Sequence, residues 1–368
     1  MENQKKIRVG IIGVSTNRGW AAMGHIPALK SLPPYHITAL SATNKEKAQA
    51  AGKAFDIEHT FDNNDDLVNS PEVDLVVITV KVPNHQELVN KAIEAGKMVY
   101  CEWPLGNGLQ EALSMQQLAA KKNVRAITGL QTQSVPAIRY IKALIESGSI
   151  GKVLSTSVIG AIGQSKIDED SVYLVDKKNG ANMFTITLGS ALHALCYCLG
   201  EFKNLSATTA VQTKSIKVEG TDRFAEVDTE DQIVVNGLLQ NEAVISVHYK
   251  TLDTKGTSFL WEINGTEGDI VITAAGSHLA FFPLTIQIAA KKDKALSDLP
   301  VPSEYYLADE KLSGSPAYNV AQHYIHLAQD ISDGTNLCTT FGDAVIRHQM
   351  INAIEIAAAT GSRQSYIV

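Results

Sequence analysis

Ile7-Arg8-Val9-Gly10-Ile11-Ile12-Gly13-Val14-Ser15-Thr16-Asn17-Arg18-Gly19-Trp20 is the stretch on which the fold turns. A short apolar run, Ile7 to Ile12, reads as a buried strand and stops at Gly13. Beyond the loop, Ala22, Ile26 and Leu29 fall at i, i+4 and i+7, the spacing of one helical face. The strand therefore passes into a helix through a glycine-containing turn. Glycine there lets the backbone approach an anion, and the helix N-terminus presents N–H groups and a partial positive charge to it. The match to a G-x-G-x-x-G loop is imperfect. Counting from Gly13, Ser15 stands in the second glycine position, and the third glycine arrives one residue late, at Gly19. Taken alone, the loop also fits a plain structural turn.

The segments that follow alternate. His36 to Leu40 reads as a strand, Lys45 to Phe55 as a helix, Val73 to Val80 (VDLVVITV) as a strand covered on both faces. Gln86 to Ala95 reads as a helix stopped by Gly96, Met98 to Cys101 as a strand, Leu109 to Lys122 as a helix, and Val124 to Thr128 as a strand. Strict alternation predicts a parallel sheet wound by right-handed crossovers, a dinucleotide-binding Rossmann domain over residues 1–128. After about residue 150 the texture changes. Strand-like runs cover 153–159, 205–212, 232–239, 243–249, 258–263, 269–273 and 285–289, several separated by short turn signals such as Gln240-Asn241 and Asn264–Gly268. Ala317 to Asp333 and Gly342 to Thr360 read as helices. The expected fold is α/β: an N-terminal Rossmann parallel sheet plus a C-terminal α/β domain with a large, mostly antiparallel open sheet. That second domain spans residues 129–368, and its C-terminal helices are expected to pack back on the first domain.

The chain has 368 residues, enough for two cores, with 45% hydrophobic and 19% charged residues. Net charge is −7 with no basic block, which argues against nucleic acid or an anionic membrane as partner. No apolar run approaches the roughly 18 residues of a membrane span. Met1 to Lys6 lacks the apolar stretch of a secretory leader. Cys101, Cys196, Cys198 and Cys338 suggest no disulfide framework, so a cytoplasmic setting is expected. On a helix, Cys196 and Cys198 point to nearly opposite faces, so His193, Cys196 and Cys198 do not read as a metal site.

The second strand of such a domain normally ends in an acid that binds the adenosine ribose. Here Ala39-Leu40-Ser41-Ala42-Thr43-Asn44-Lys45 contains none. Ser41, Thr43 and Asn44 are candidates to bond a 2′-phosphate and Lys45 to pair with it, which favours NADP over NAD. Thr43 and Asn44 fit equally well as caps of the following helix. At the first loop, Gly13 and Ser15 are expected against the pyrophosphate, and a valine at 13 is expected to abolish dinucleotide binding while leaving the protein folded.

Further on, Val82-Pro83-Asn84-His85, Ala95-Gly96-Lys97, Cys101-Glu102-Trp103-Pro104-Leu105, Ile145 to Val153 and Asn264 to Asp269 follow one another in a set order. Together they resemble the glucose–fructose oxidoreductase / inositol dehydrogenase (Gfo/Idh/MocA) family over nearly the whole chain. Gly19-Trp20, His25-Ile26-Pro27-Ala28, Glu102-Trp103, Gly129-Leu130-Gln131 with Pro136, Asn179-Gly180 and Thr187-Leu188-Gly189 resemble the branch that contains a fungal galactose-regulon repressor. The resemblance implies a cofactor site built from Gly13, Ser15, Asn17, Arg18, Trp20, Ser41, Thr43, Asn44, Val80, Lys81, Pro83, His85, Glu102, Trp103 and Gln131. It also implies a cis Trp103–Pro104 bond. The free face of the open sheet must be covered, and a second copy is the simplest cover, so a homo-oligomer, dimer or tetramer, is expected.

The departures bear on chemistry. Family enzymes carry Glu-Lys-Pro where this chain has Glu102-Trp103-Pro104, and an indole N–H only donates, so it cannot take a hydroxyl proton. The family's acid/base His falls at Ser190 and its companion Asp at about Ile186. A later family Asp falls at His193. His193, Lys177 and Tyr173 are the remaining catalytic candidates, against plainer roles as a packed helix residue and loop residues near the acidic run Asp168-Glu169-Asp170. Two functions stay open: an NAD(P)-dependent oxidoreductase acting on a sugar or polyol with non-standard catalytic groups, or a catalytically silent dinucleotide-binding regulator whose partner is a protein.

Overall fold

The computed structural model describes residues 6–16 and 18–366. Asn17, one of the expected cofactor residues, lies outside the described residues. The chain forms two compact units, Met1–Ser134 with Leu307–Val345, and Val135–Tyr306 with Ile346–Val368.

In the first unit, six parallel strands form one sheet: β1 (Ile7–Ile12), β2 (Tyr35–Ser41), β3 (His59–Phe61), β4 (Leu75–Ile78), β5 (Met98–Cys101) and β6 (Ala126–Thr128). Their order is β3-β2-β1-β4-β5-β6, the Rossmann order, with its reversal point between β1 and β4. The last residues of the strands fall in line, Ile12 beside Ser41 and Ile78, and Ile78 beside Cys101. β4 is shorter than the apolar run 73–80, because Val73 N–H bonds the turn at Ser70 and Thr79 N–H turns back to Ile12 O.

Helices α1 (Ile26–Lys30), α2 (Lys45–Phe55), α3 (Asn64–Asn69), α4 (His85–Glu94) and α5 (Leu109–Lys122) fill the crossovers. The first differs from the regular helix that its spacing predicts. Ala21–His25 forms a wider π-type turn, in which Ile26 N–H bonds Ala21 O. Pro27 follows in α1 and has no N–H to offer Met23 O, so the regular ladder is interrupted where the π turn stands.

The second unit carries an eight-stranded sheet and a three-stranded one. Their strands are β7 (Val153–Ile162), β8 (Lys166–Ile167), β9 (Phe202–Ala210), β10 (Ser215–Val218), β11 (Phe224–Glu226), β12 (Gln232–Leu239), β13 (Val244–Thr251), β14 (Phe259–Gly265), β15 (Gly268–Ala274), β16 (Thr285–Ala290) and β17 (Ser297–Asp298). The large sheet runs β17-β16-β15-β14-β7-β13-β12-β9, antiparallel except where β13 lies parallel to β7. Helix α6 (Pro136–Glu146), not among the elements expected above, precedes it, and α7 (Gly189–Leu199) packs on one face. Leu192 and Leu195 share a void of about 10 Å³ with Val158, Val247, Phe259 and Trp261. The small sheet, β11-β10-β8, has its own core of Ile167, Val175, Ile216, Val218, Ala225 and Val227.

Helix α8 (Ala317–Asp333) belongs to the first unit, where Val320, Ala321, Tyr324 and Leu327 join Val9, Ile26, Leu29 and Tyr100 in one buried core. Helix α9 (Phe341–Thr360) runs from the first unit into the second.

Candidate functional site

The carboxyl ends of β1, β2, β4 and β5 lie side by side in the first unit, at the reversal point of the sheet, the edge at which open α/β sheets bind ligands. Gly13 follows β1 there. Its φ is +94°, and a Cβ there would lie 2.7 Å from Val80 Cγ1, so both conformation and space demand glycine. Gly13 N–H donates to Ser41 O at 3.3 Å and Val14 N–H to the same oxygen at 3.1 Å. The backbone donors open to a phosphate therefore come from later in the loop than Gly13. Gly13, Ser15 and Arg18 are exposed and Trp20 is half-buried. Lys81 and Pro83 are exposed beside half-buried Val80, at the end of β4.

At the end of β2 the expected phosphate contacts are engaged locally. Ser41 is fully buried and donates to Asn64 Oδ1 at 2.8 Å. Asn44 caps α2, its Oδ1 accepting from Lys47 N–H at 2.9 Å, and Thr43 Oγ1 accepts from Lys47 Nζ at 3.3 Å. Lys47, exposed in the first turn of α2, is a cation that the sequence reading missed. Its spacing from Thr43, i to i+4, was the available signal.

His85 is 1% exposed and braces two turns. Its Nε2 sits 2.9 Å from Val80 O and its Nδ1 3.0 Å from Pro104 O. Burial pushes its pKa below the usual imidazole range, so the ring is neutral and donates to one carbonyl at a time. The Trp103–Pro104 bond is cis, as the resemblance implied, and Trp103 is 7% exposed in the turn after β5.

Glu102, between β5 and that turn, is the most heavily supported group. Its Oε1 accepts from Gln131 Nε2 at 2.8 Å and from His25 Nε2 at 2.8 Å. Gln131 Nε2 also reaches Tyr100 Oη at 3.2 Å. His25 is fully buried, and its Nδ1 lies 2.7 Å from Tyr324 Oη on α8. His25 and Tyr324 were not singled out in the sequence. Nearly 300 residues separate them, and no local pattern signals such a pairing.

The second unit holds its own cleft of about 410 Å³, lined among others by Lys166, Asp168, Asn182, Ile186, Glu230 and Asp231. Ile186, at the family's Asp position, lies in a π-type turn, Met183–Leu188, ahead of α7. The three catalytic candidates do not gather here. His193 is buried on α7. Lys177 Nζ pairs with Glu230 Oε1 at 2.5 Å and approaches Glu355 Oε1 at 3.8 Å. Tyr173 is half-buried, and burial raises its phenol pKa. The acidic run is tied locally, with Asp168 Oδ1 capping Ser171 N–H at 3.0 Å and Glu169 paired with Arg223. Among the described residues, no three His, Cys, Asp or Glu side chains are grouped to hold a metal ion, and no helix is long and apolar enough to cross a membrane.

Residues 7–130 match the family described as "Oxidoreductase family, NAD-binding Rossmann fold" (Gfo/Idh/MocA), and residues 136–274 match "Gal80p, C-terminal domain". The chain is similar to "Dehydrogenase aclE" of Aspergillus oryzae, 32% identical over 98% of this chain and 99% of that protein. It is also similar to the "Galactose/lactose metabolism regulatory protein GAL80" of Kluyveromyces lactis, 27% identical over 73% of this chain and 64% of that one. In three dimensions it resembles a levoglucosan dehydrogenase solved in complex with NADH and levoglucosan, with a TM-score of 0.81, 21% identity, and coverage of 99% and 100%. Chain-long identity to a dehydrogenase, a Rossmann sheet with a glycine turn at its reversal point and a large, mostly antiparallel second sheet agree, and the chain belongs to the Gfo/Idh/MocA family of NAD-binding oxidoreductases.

Proposed function

We propose that this protein is an NAD(P)-dependent oxidoreductase acting on a hydroxyl of a sugar or polyol. The observation that carries the reading is the turn at the end of β1. It keeps a glycine where any side chain would clash with Val80, and it leaves Ser15 and Arg18 exposed beside it. That geometry fits a pyrophosphate. In this reading Gly13, Ser15, Arg18 and Trp20 hold the pyrophosphate end, and Val80, Lys81, Pro83, Glu102, Trp103 and Gln131 surround the nicotinamide half. When bound, the nicotinamide exchanges a hydride with the carbinol carbon. His85 fixes the turns that carry Val80 and Pro104. NADP is the favoured cofactor. The end of β2 presents no carboxylate to repel a 2′-phosphate, and Lys47 stands there with Thr43.

The substrate class is supported by the family and by the 410 Å³ cleft of the second unit, which sets Lys166, Asp168, Glu230 and Asp231 among apolar residues, a volume suited to a small polyol. A cytoplasmic setting is supported by four free, buried cysteines. A homo-oligomer is supported by the open face of the eight-stranded sheet opposite α7, which a second copy would cover.

A second reading has a specific observation behind it. Trp103 is an indole where family enzymes place a lysine, and α7 offers Ser190 where they place a histidine. A silent dinucleotide-binding regulator with a protein partner needs neither proton acceptor. Titrating NADPH and NADH by fluorescence and then screening sugars, polyols and sugar acids for nicotinamide absorbance change separates the two. Turnover of any of them supports the oxidoreductase. Tight NADPH binding with no turnover supports the regulator, and no binding of either dinucleotide refutes both.

A further inference from the structure

We propose that His25, held by Tyr324, is the positioning residue of the dinucleotide site: it locks one oxygen of Glu102 so that the other is left to accept ribose hydroxyls. The inference rests on the reading that Glu102 belongs to the dinucleotide site.

Glu102 has two carboxylate oxygens and they are treated differently. Oε1 accepts from both His25 Nε2 and Gln131 Nε2, each at 2.8 Å. Oε2 has no hydrogen-bond partner among the described residues, and the side chain keeps 14% of its exposure. A carboxylate can only accept, so His25 Nε2 carries the proton of that contact. When that proton is the ring's only one, Nδ1 is an acceptor and Tyr324 Oη, 2.7 Å away, is its donor. In that tautomer the relay runs from Tyr324 O–H to His25, and from His25 N–H to Glu102. Each member is fixed from outside the relay. Tyr324 lies tilted against Tyr100 with ring centres 5.0 Å apart, and its own carbonyl accepts from Tyr35 Oη at 2.7 Å. His25 lies edge-on to Tyr100 at 5.4 Å and to Trp20 at 6.1 Å. Gly129 completes the seat. A Cβ at 129 would lie 2.6 Å and 2.7 Å from the two Glu102 oxygens, so the carboxylate occupies space that only a glycine leaves.

A carboxylate oxygen left open at the end of β5 suits a ligand with paired hydroxyls, and a ribose is such a ligand. Removing the His25 donor frees Glu102 to rotate and removes a charge-assisted bond, a change worth about tenfold in affinity.

The test uses fluorescence titration with NADH and NADPH on the full chain, with circular dichroism and thermal melting as controls for folding. Glu102→Ala is expected to weaken binding by about tenfold or more, His25→Ala by about tenfold, and Tyr324→Phe by about two- to threefold. His25→Gln, which keeps an N–H donor, is expected to recover part of the loss. The double variant His25→Ala/Glu102→Ala should bind no worse than Glu102→Ala alone, because His25 acts through Glu102. Ser134→Ala cuts equally buried bonds to His323 and His326, at 2.9 and 2.8 Å, and should leave affinity unmoved. Unchanged binding by Glu102→Ala overturns the underlying placement of Glu102. Weak binding by Glu102→Ala with normal binding by His25→Ala, or additive losses in the double variant, overturns the positioning role alone. If His25→Ala does not fold, Tyr324→Phe decides: undiminished affinity in that variant overturns the relay.

Discussion

Gly13→Ala is the substitution whose consequence follows most directly from the coordinates. Two costs add. The residue sits at φ +94°, outside the regions an L-residue adopts easily, which costs about 1–3 kcal/mol. The new Cβ would stand 2.7 Å from Val80 Cγ1, 3.3 Å from Thr79 Oγ1 and 3.4 Å from Val80 N, and crowding of this kind costs about 1–3 kcal/mol more. A total of about 2–6 kcal/mol lowers the melting temperature by roughly 4–20 °C. The valine that the sequence reading expected to leave the protein folded would do worse, since the clash involves the first carbon of any side chain. The two costs separate by a second change. Val80→Ala removes the nearest carbon, so in Gly13→Ala/Val80→Ala the steric part is relieved and the conformational part stays. The assay is thermal and denaturant unfolding of the four members of the cycle, with NADPH titration on those that stay folded. Gly13→Ala should also weaken NADPH by at least tenfold, because the turn must shift away from Val80. A Gly13→Ala protein with unchanged melting temperature and NADPH affinity would refute both the clash and the assignment of this turn.

Ala42→Asp should move preference towards NADH by about tenfold, since a carboxylate at the end of β2 accepts from ribose hydroxyls and repels a 2′-phosphate; equal ratios of NADPH to NADH affinity before and after would show that this loop does not read the phosphate. Trp103→Lys should lower sugar turnover by about tenfold or more if the indole walls a sugar site, whereas in a silent regulator it adds little activity until Ser190→His is added, so the sign of the change in a nicotinamide absorbance assay decides between the readings. Burial holds His278 and His348 down to about 4, and burial with the neighbouring His326 holds His323 to about 3. The unfolded chain protonates these rings below about pH 6.5 and the folded one does not, so stability is present above that pH and lost as pH falls from about 6.5 to 4, by up to about 1.4 kcal/mol per pH unit for each ring. Urea unfolding at pH 7, 6, 5 and 4 checks it, and a flat profile over that range contradicts the buried neutral histidines.

The sheet strands were legible wherever apolar runs and turn signals coincide. Ile7–Ile12 and Gln232–Leu239 are the strands that the runs predict, and Leu109–Lys122 and Ala317–Asp333 are the helices. β8, β10 and β17, of two to four residues, lack the flanking helices that mark the equally short β5 and β6, and they escaped. The π turn at Ala21–His25 escaped because its spacing imitates a regular helix on either side. Among site residues, Gly13 was readable from its place between strand and helix. A serine at a strand end, such as Ser41, looks the same in sequence whether it faces a ligand or, as here, donates inward to Asn64. The partners of Glu102 come from α8 and from the π turn, and only the fold brings them together.

The distribution of strain and burial bears on the functional question. A half-buried carboxylate is unfavourable unless its lone pairs are met, and a non-helical φ at Gly13 restricts that position to one residue type. The chain accepts both features at the same edge of the same sheet, and it surrounds Glu102 with Gln131, His25, Tyr324 and the vacant side of Gly129. Tyr324 also belongs to the core of the sheet with Val9, Ile11, Leu40 and Val77, whereas Gln131 and His25 do not. In the reading proposed above, these contacts hold an acceptor still beside the dinucleotide. Both functional readings use that acceptor. The residue beside it, Trp103, is where they part, because an indole can wall a sugar pocket or fill it but cannot take a proton. The decision between enzyme and regulator therefore rests on what else meets the substrate hydroxyl. In the second unit Lys177 is the one catalytic candidate with a charge to offer. Its pairing with Glu230 and approach to Glu355 raise its pKa, which keeps it protonated near neutrality, a donor rather than a base.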